Sequence, residues 1–176
     1  MNIDKIFGLP AHPLLMHIPV LGIPLCAIWV LAVVIRPSFR QRTALPLAIF
    51  TIVIAVFTYL TAGAGEQLEK RVDKSALLER HAHLGDQTKT IVIIFGIVTI
   101  VYLLIDWIAR RHTTNGASET PARGQSPWTY AIVVVGIIAV LMGGFASLWD
   151  VRTGHSGATA TWSDVGPPAT PADGGD

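Results

Sequence analysis

The chain has 176 residues, enough for one compact unit, with a formal net charge of +1 and one cysteine. That charge, and the lack of any Lys/Arg-rich run, implies neither nucleic acid nor a bulk anionic partner. The lone Cys26 excludes an intramolecular disulfide and a thiolate zinc site.

Apolar residues make up 51% of the chain and gather into four long runs. A soluble domain would scatter them at helix or strand periods. Residues 1–13 are a short lead with Gly8, Pro10 and Pro13. The first span is expected over 14–35, with Pro13 in its first turn, where a missing N–H costs nothing. Pro19 and Pro24 should bend it. It is too long for a signal peptide and ends in Arg36-Pro37-Ser38-Phe39-Arg40, with no small-residue cleavage site, so it reads as a retained span. Cys26 within it reads as a small packing residue.

Residues 36–43 form a basic turn, and a second span follows over 44–62, ending at Gly63-Ala64-Gly65. Residues 66–86 are polar and charged, with Leu68, Val72, Ala76 and Leu84 interleaved, the pattern of an amphipathic segment in the membrane interface. The third span covers 90–108 and closes on Arg110-Arg111; residues 112–127 have loop composition. The fourth covers 128–149 and carries a stripe of small residues, Gly136, Ala139, Gly143, Ala146 and Ser147, on one helix face. Residues 156–176 form a flexible tail, disordered from 163 onward by composition. Spans of 19 to 22 residues match a hydrocarbon core of about 30 Å. Trp107, Trp128 and Trp149 at their ends resemble interfacial anchors. The expected fold is all-α: a polytopic four-helix transmembrane bundle over 1–155, with a tail over 156–176.

Four spans put both termini on one side. That side carries seven basic residues against six on the other. The denser turn at 36–42, with three arginines, favours both termini outside. Five of the six histidines fall on the termini side: His12 and His17, His81 and His83, and His155. Glu66 falls there too. A neutral imidazole keeps the lone pair that ligation needs. Two rings from different helices of a bundle can hold the iron of haem b, with Lys70, Arg80 and Arg152 placed to pair with propionates. A transition-metal ion would use His17, His83 and His155 with Glu66 or Asp86. His17 is expected to be the least exposed, because eighteen uncharged residues follow it. The plainer alternative is that these rings sit in water or at headgroup depth. His112, alone on the arginine side, reads as structural.

Asp106 lies inside the third span, one turn before Arg110, and reads as its ion-pair partner. Asp150 and Arg152 read similarly. No Ser–His–Asp order, Walker loop or HExxH pattern is present, which argues against an enzyme.

The stretch GLPAHPLLMHIP, Gly8 to Pro19, resembles the opening of a bacterial membrane family catalogued as domain of unknown function 2231. The resemblance covers roughly residues 8 to 162. It matches His12, Pro13, His17 and Pro19, then Gly63 and Gly65, then His81 or His83, then Gly154, His155 and Gly157. It implies a four-span bundle in the bacterial inner membrane. Some relatives are fused to Rieske-type domains, which implies redox company. The leading expectation is a haem- or metal-binding, redox-associated component whose partners are the lipid bilayer and respiratory or other redox membrane proteins. The first rival is a cofactor-free structural or interaction subunit of a membrane complex. A transporter is disfavoured, since the spans lack polar residues near their middles and no repeat halves are visible.

Overall fold

The computed structural model describes residues 5–115 and 127–163, of which the side chains of 113–115 are left aside. The expected loop at 112–127 and tail from 164 to 176 therefore lie largely outside the described residues. A two-residue hairpin opens the described chain: β1 (Lys5–Ile6) pairs antiparallel with β2 (Leu9–Pro10). Its turn residues Phe7 and Gly8 both have positive φ, 51° and 83°, as a tight hairpin turn requires. Five helices follow: α1 (Ala11–Leu15), α2 (His17–Ile35), α3 (Pro37–Glu69), α4 (Ala76–Asn115) and α5 (Pro127–Trp162).

α1 and α2 are nearly one helix. Met16 between them keeps helical angles, and Val20 N–H reaches its carbonyl at 3.1 Å. The interruption lies where Pro19 has no N–H to offer the carbonyl of Leu15. Four helical stretches, Ala11–Ile35, Pro37–Glu69, Ala76–His112 and Pro127–Trp162, are long and apolar enough to cross a membrane. The chain is an all-α, multi-pass membrane protein.

The helices outrun the expected spans. The basic turn shrinks to Arg36 alone, extended at φ −120° and ψ 94° as a residue before proline prefers, and Pro37 starts α3. At the other end α3 passes through Gly63 and Gly65 to Glu69. The segment 66–86 is no separate interfacial element: it divides into the end of α3, a turn, and the start of α4. Ser75 begins that last helix by accepting the N–H of Leu78 at 3.1 Å, an N-cap bond. α5 continues to Trp162, so residues 156–162 are helical instead of flexible.

α2 packs against α3 and α5, and α4 against the same two, closing a four-helix ring; α1 docks on α3. The core holds Ile23, Cys26, Val30, Val33, Leu47, Ile54, Val92, Phe95, Tyr102, Ala139 and Ala146. Cys26 is buried, beside Thr51 Oγ1 at 3.4 Å, which agrees with its reading as a packing residue. Large apolar side chains also cover the outside, among them Leu21, Leu45 and Leu141, each about two-thirds exposed. A surface of that kind is at home against acyl chains.

The small-residue stripe of α5 does face neighbours: Gly136, Ala139, Gly143 and Ala146 are all buried. A Cβ on Gly143 would lie 3.0 Å from Ala27 and 3.1 Å from Phe95; one on Gly136 would lie 3.0 Å from Tyr102. Nothing lies within 4 Å of the same position on Gly144. Gly143→Leu is therefore expected to destabilise the bundle by about 1–3 kcal/mol, while Gly144→Leu leaves it unchanged. Denaturant unfolding in micelles measures both, and equal effects would remove the close-packed seam.

A second expectation concerns the four crossings. In a Cys26→Ala background, single cysteines at Asn115 and Ala160 should label from opposite sides of the membrane. Labelling of both from one side would contradict four spans.

Candidate functional site

The end of the bundle that carries Lys5 and the last turns of α5 gathers polar side chains from four helices. α1 brings His12. Its neighbours Ala11 and Leu15 pack against Ala64 of α3, which fixes α1 on the last turns of that helix. There His12 Nδ1 lies 2.9 Å from the carbonyl oxygen of Thr61. α4 brings His81, whose Nδ1 lies 3.2 Å from the carbonyl oxygen of Thr153 and 3.0 Å from Ser156 Oγ on α5. The two rings are half-buried, their centroids 6.1 Å apart and their planes at 78°.

The bonding partners fix the tautomers. A carbonyl oxygen only accepts, so Nδ1 must carry the proton in both rings. Ser156 fits the same scheme, since its hydroxyl donates to the Thr153 carbonyl at 2.7 Å and leaves a lone pair for His81. In the neutral rings each Nε2 then keeps a lone pair.

Each ring also rests on a glycine. A Cβ on Gly65 would stand 3.0 Å from His12 Nδ1, and one on Gly157 would stand 2.8 Å from His81 Cε1. Any side chain at Gly157 would push the His81 ring aside. Thr88 and Thr153 join their hydroxyls at 2.7 Å on the α4–α5 seam, and Trp149 Nε1 donates to Gln87 Oε1 at 3.1 Å.

The other expected site residues are not brought to this pair. His17 is exposed, which reverses the expectation that it is the least exposed histidine. It follows His12 by five residues, a rotation of about 140° around the helix, so a His12 turned inward leaves His17 turned out. His83 is exposed and accepts a hydrogen bond at Nε2 from Gln87 Nε2, 3.0 Å away. His155 is exposed and lines a cleft between α4 and α5. Glu66 sits 3.8 Å from Lys89, which holds Asp86 at 2.7 Å, a surface arrangement. Among the described residues no three His, Cys, Asp or Glu side chains group as metal ligands. His112 stacks on Trp128 at 5.5 Å, in keeping with its structural reading. Arg152 lies over the Trp149 ring at 4.7 Å and makes no ion pair with the buried Asp150.

The opposite end carries a buried ionic network that the sequence showed only in part. Asp106, 3% exposed, binds Arg110 as expected, Oδ2 to Nη2 at 2.6 Å. It also binds Arg40 of α3, Oδ1 to Nη2 at 2.8 Å. Arg40 is itself buried and donates through Nη1 to the Tyr102 hydroxyl and to the carbonyl of Val33. One residue thus links α2, α3 and α4. The signal available was an aspartate inside an apolar run, four residues before an arginine; the third partner was hidden by assigning residue 40 to a turn.

Comparison with protein-family models, with curated proteins and with solved structures finds no match.

Breaking a buried pair leaves a charge uncompensated, which costs about 3–5 kcal/mol. Asp106→Asn should therefore unfold the bundle far more readily than Glu66→Gln, whose exposed pair is worth about 0–1 kcal/mol. Unfolding midpoints of the two variants in micelles check this, and similar midpoints would show that the Arg40 network carries no stability.

Proposed function

We propose that this protein is a membrane-embedded metal- or haem-binding component of a redox system, with His12 and His81 as its ligand pair. The observation that carries the reading is the state of the two rings. Both Nδ1–H groups are held by main-chain oxygens, so both Nε2 lone pairs are free for a metal, the arrangement usual for metal-bound imidazole. Two rings bound through Nε2 to one ion at about 2 Å place their centroids about 5–6 Å apart. The observed 6.1 Å is just above that range, so a small inward shift of the rings would complete it. A single transition-metal ion needs least rearrangement, its remaining positions filled by water or a partner; haem b needs the rings to open around a porphyrin.

The same end gathers the motifs on which the resemblance to domain of unknown function 2231 rests. The residues that converge are drawn from each of its separate motifs: His12, Gly65, His81 and Gly157. We place the chain in a bacterial inner membrane with both termini outside, and electron transfer with a respiratory or other redox membrane protein is the activity proposed for it.

The test is bound cofactor per chain, by metal analysis and visible absorption, in protein expressed with haem and metals supplied. Wild type should retain about one metal or haem per chain. His12→Ala and His81→Ala should lose it, whereas His17→Ala and His112→Ala should keep it. Ser156→Ala, which removes an outer-shell partner of His81, should weaken retention about 10-fold. Cofactor-free wild type would favour an interaction subunit instead, as would equal content in wild type and His81→Ala.

A further inference from the structure

Two aspartates are buried in the bundle, and they are treated differently. Asp106, 3% exposed, is held by two arginines. Asp150, 6% exposed, forms no ion pair and no side-chain hydrogen bond among the described residues. It belongs to the inward face of α5. Gly143, Ala146 and Asp150 are buried in succession, and Thr153 and Gly157, which meet His81, continue the same face. Seven residues separate Asp150 from Gly157, a rotation within about 20° of two full turns and a rise of about 10 Å.

The helices packed on α5 bring no charge to that level. On α2, Ala27 lies at Gly143 and Val34 at Gly136. That antiparallel register sets Asp150 between Pro19 and Ile23. On α4, the contact of Thr88 with Thr153 sets it between Thr88 and Val92. None of these four residues titrates. Lys89, next on α4, is engaged with Glu66 of α3 and with Asp86, and His17 is exposed. A buried carboxylate without a partner is costly. Asparagine would fill the same space without the charge, so packing alone does not call for aspartate here.

The histidine pair has the complementary lack. Two neutral imidazoles add no negative charge, so a divalent ion on their Nε2 atoms would bring its full charge into a half-buried site. Among the described residues, Asp150 is the one buried carboxylate at that end. At roughly 10 Å and an effective dielectric constant of about 20, a carboxylate and a divalent ion attract strongly enough to change affinity on the order of 100-fold.

We propose that Asp150 is the counter-charge for a divalent metal ion held by His12 and His81. It is a positioning residue and does not ligate the ion; the proposal rests on the metal-binding reading of the pair. Its cost to the empty bundle is offset when the ion is bound.

The test is Zn²⁺ titration of the full chain in detergent micelles by calorimetry, together with the unfolding midpoint of each metal-free variant. Wild type should bind one Zn²⁺. Asp150→Asn should bind it on the order of 100-fold more weakly, yet unfold no more readily than wild type when metal-free. Glu66→Gln removes the same charge from the exposed surface of the same end and should bind as wild type does. In a His81→Ala background, Asp150→Asn should make no further difference. Unchanged affinity in Asp150→Asn would overturn the proposal while leaving the histidine ligands in place. Equal weakening in Glu66→Gln would reduce the effect to net charge and overturn it. A lower metal-free midpoint for Asp150→Asn would assign the residue to the fold and overturn it too. Wild type that binds no Zn²⁺, or binds it as His81→Ala does, would overturn the histidine reading and this proposal with it.

Discussion

The close approach of α5 to α2 and α4 is the constraint on which the rest of the structure depends. Lipid tails are as apolar as leucine, so burial of apolar surface does not drive these helices together; packing and polar ties must do so. Gly136 and Gly143 let α5 come within contact of Tyr102, Phe95 and Ala27. Ridges of this kind have a register, and the register places the far end of α5. Thr153, Ser156 and Gly157 reach His81 because the seam above them is locked. Leucine at position 143 would hold the helices apart and carry the His81 partners away with them.

Polar ties at the two ends complete what the seam begins, and they differ in character. At one end Arg40, Asp106 and Arg110 form a buried ionic cluster that spans α3 and α4 and touches α2. Such a cluster tolerates no missing member, because each charge left alone is costly to bury. At the other end the ties are neutral: imidazoles on carbonyls, threonine on threonine, tryptophan on glutamine. Neutral groups can lose a partner at about 1–3 kcal/mol. The end with the cheaper ties is the one with the freedom to accept a ligand.

The four crossings were legible because apolar length is a strong signal and the hydrocarbon core sets its scale. Helix ends were not, since a helix that continues into water looks polar and reads as loop or interface. That error hid Arg40 inside an assumed turn and split α4 at residue 86. Rotation about the helix axis was also illegible. A helix that is apolar on every side gives no direction inward, so His12 and His17 could not be told apart by hydropathy. Periodicity does constrain such pairs: two residues apart turns a side chain by about 200°. His81 facing its partners therefore sends His83 away, and Thr153 and Gly157 facing His81 turn His155 off the pair, onto the exposed cleft between α4 and α5.

The pairing of each inward histidine with a glycine separates this end from an ordinary polar rim. A histidine serving only as a tie needs one nitrogen. His12 and His81 each use Nδ1 for that purpose, on a main-chain oxygen that no side-chain change can remove. What remains is two Nε2 acceptors on half-buried rings 6.1 Å apart. Two acceptors cannot satisfy each other. A species that offers positive charge or hydrogen to both must complete them: a water, a proton taken up by one ring, or a metal ion. Gly65 and Gly157 let the two rings lie close against α3 and α5, and the metal ion proposed above is the occupant that would use rings held at fixed tautomer and height.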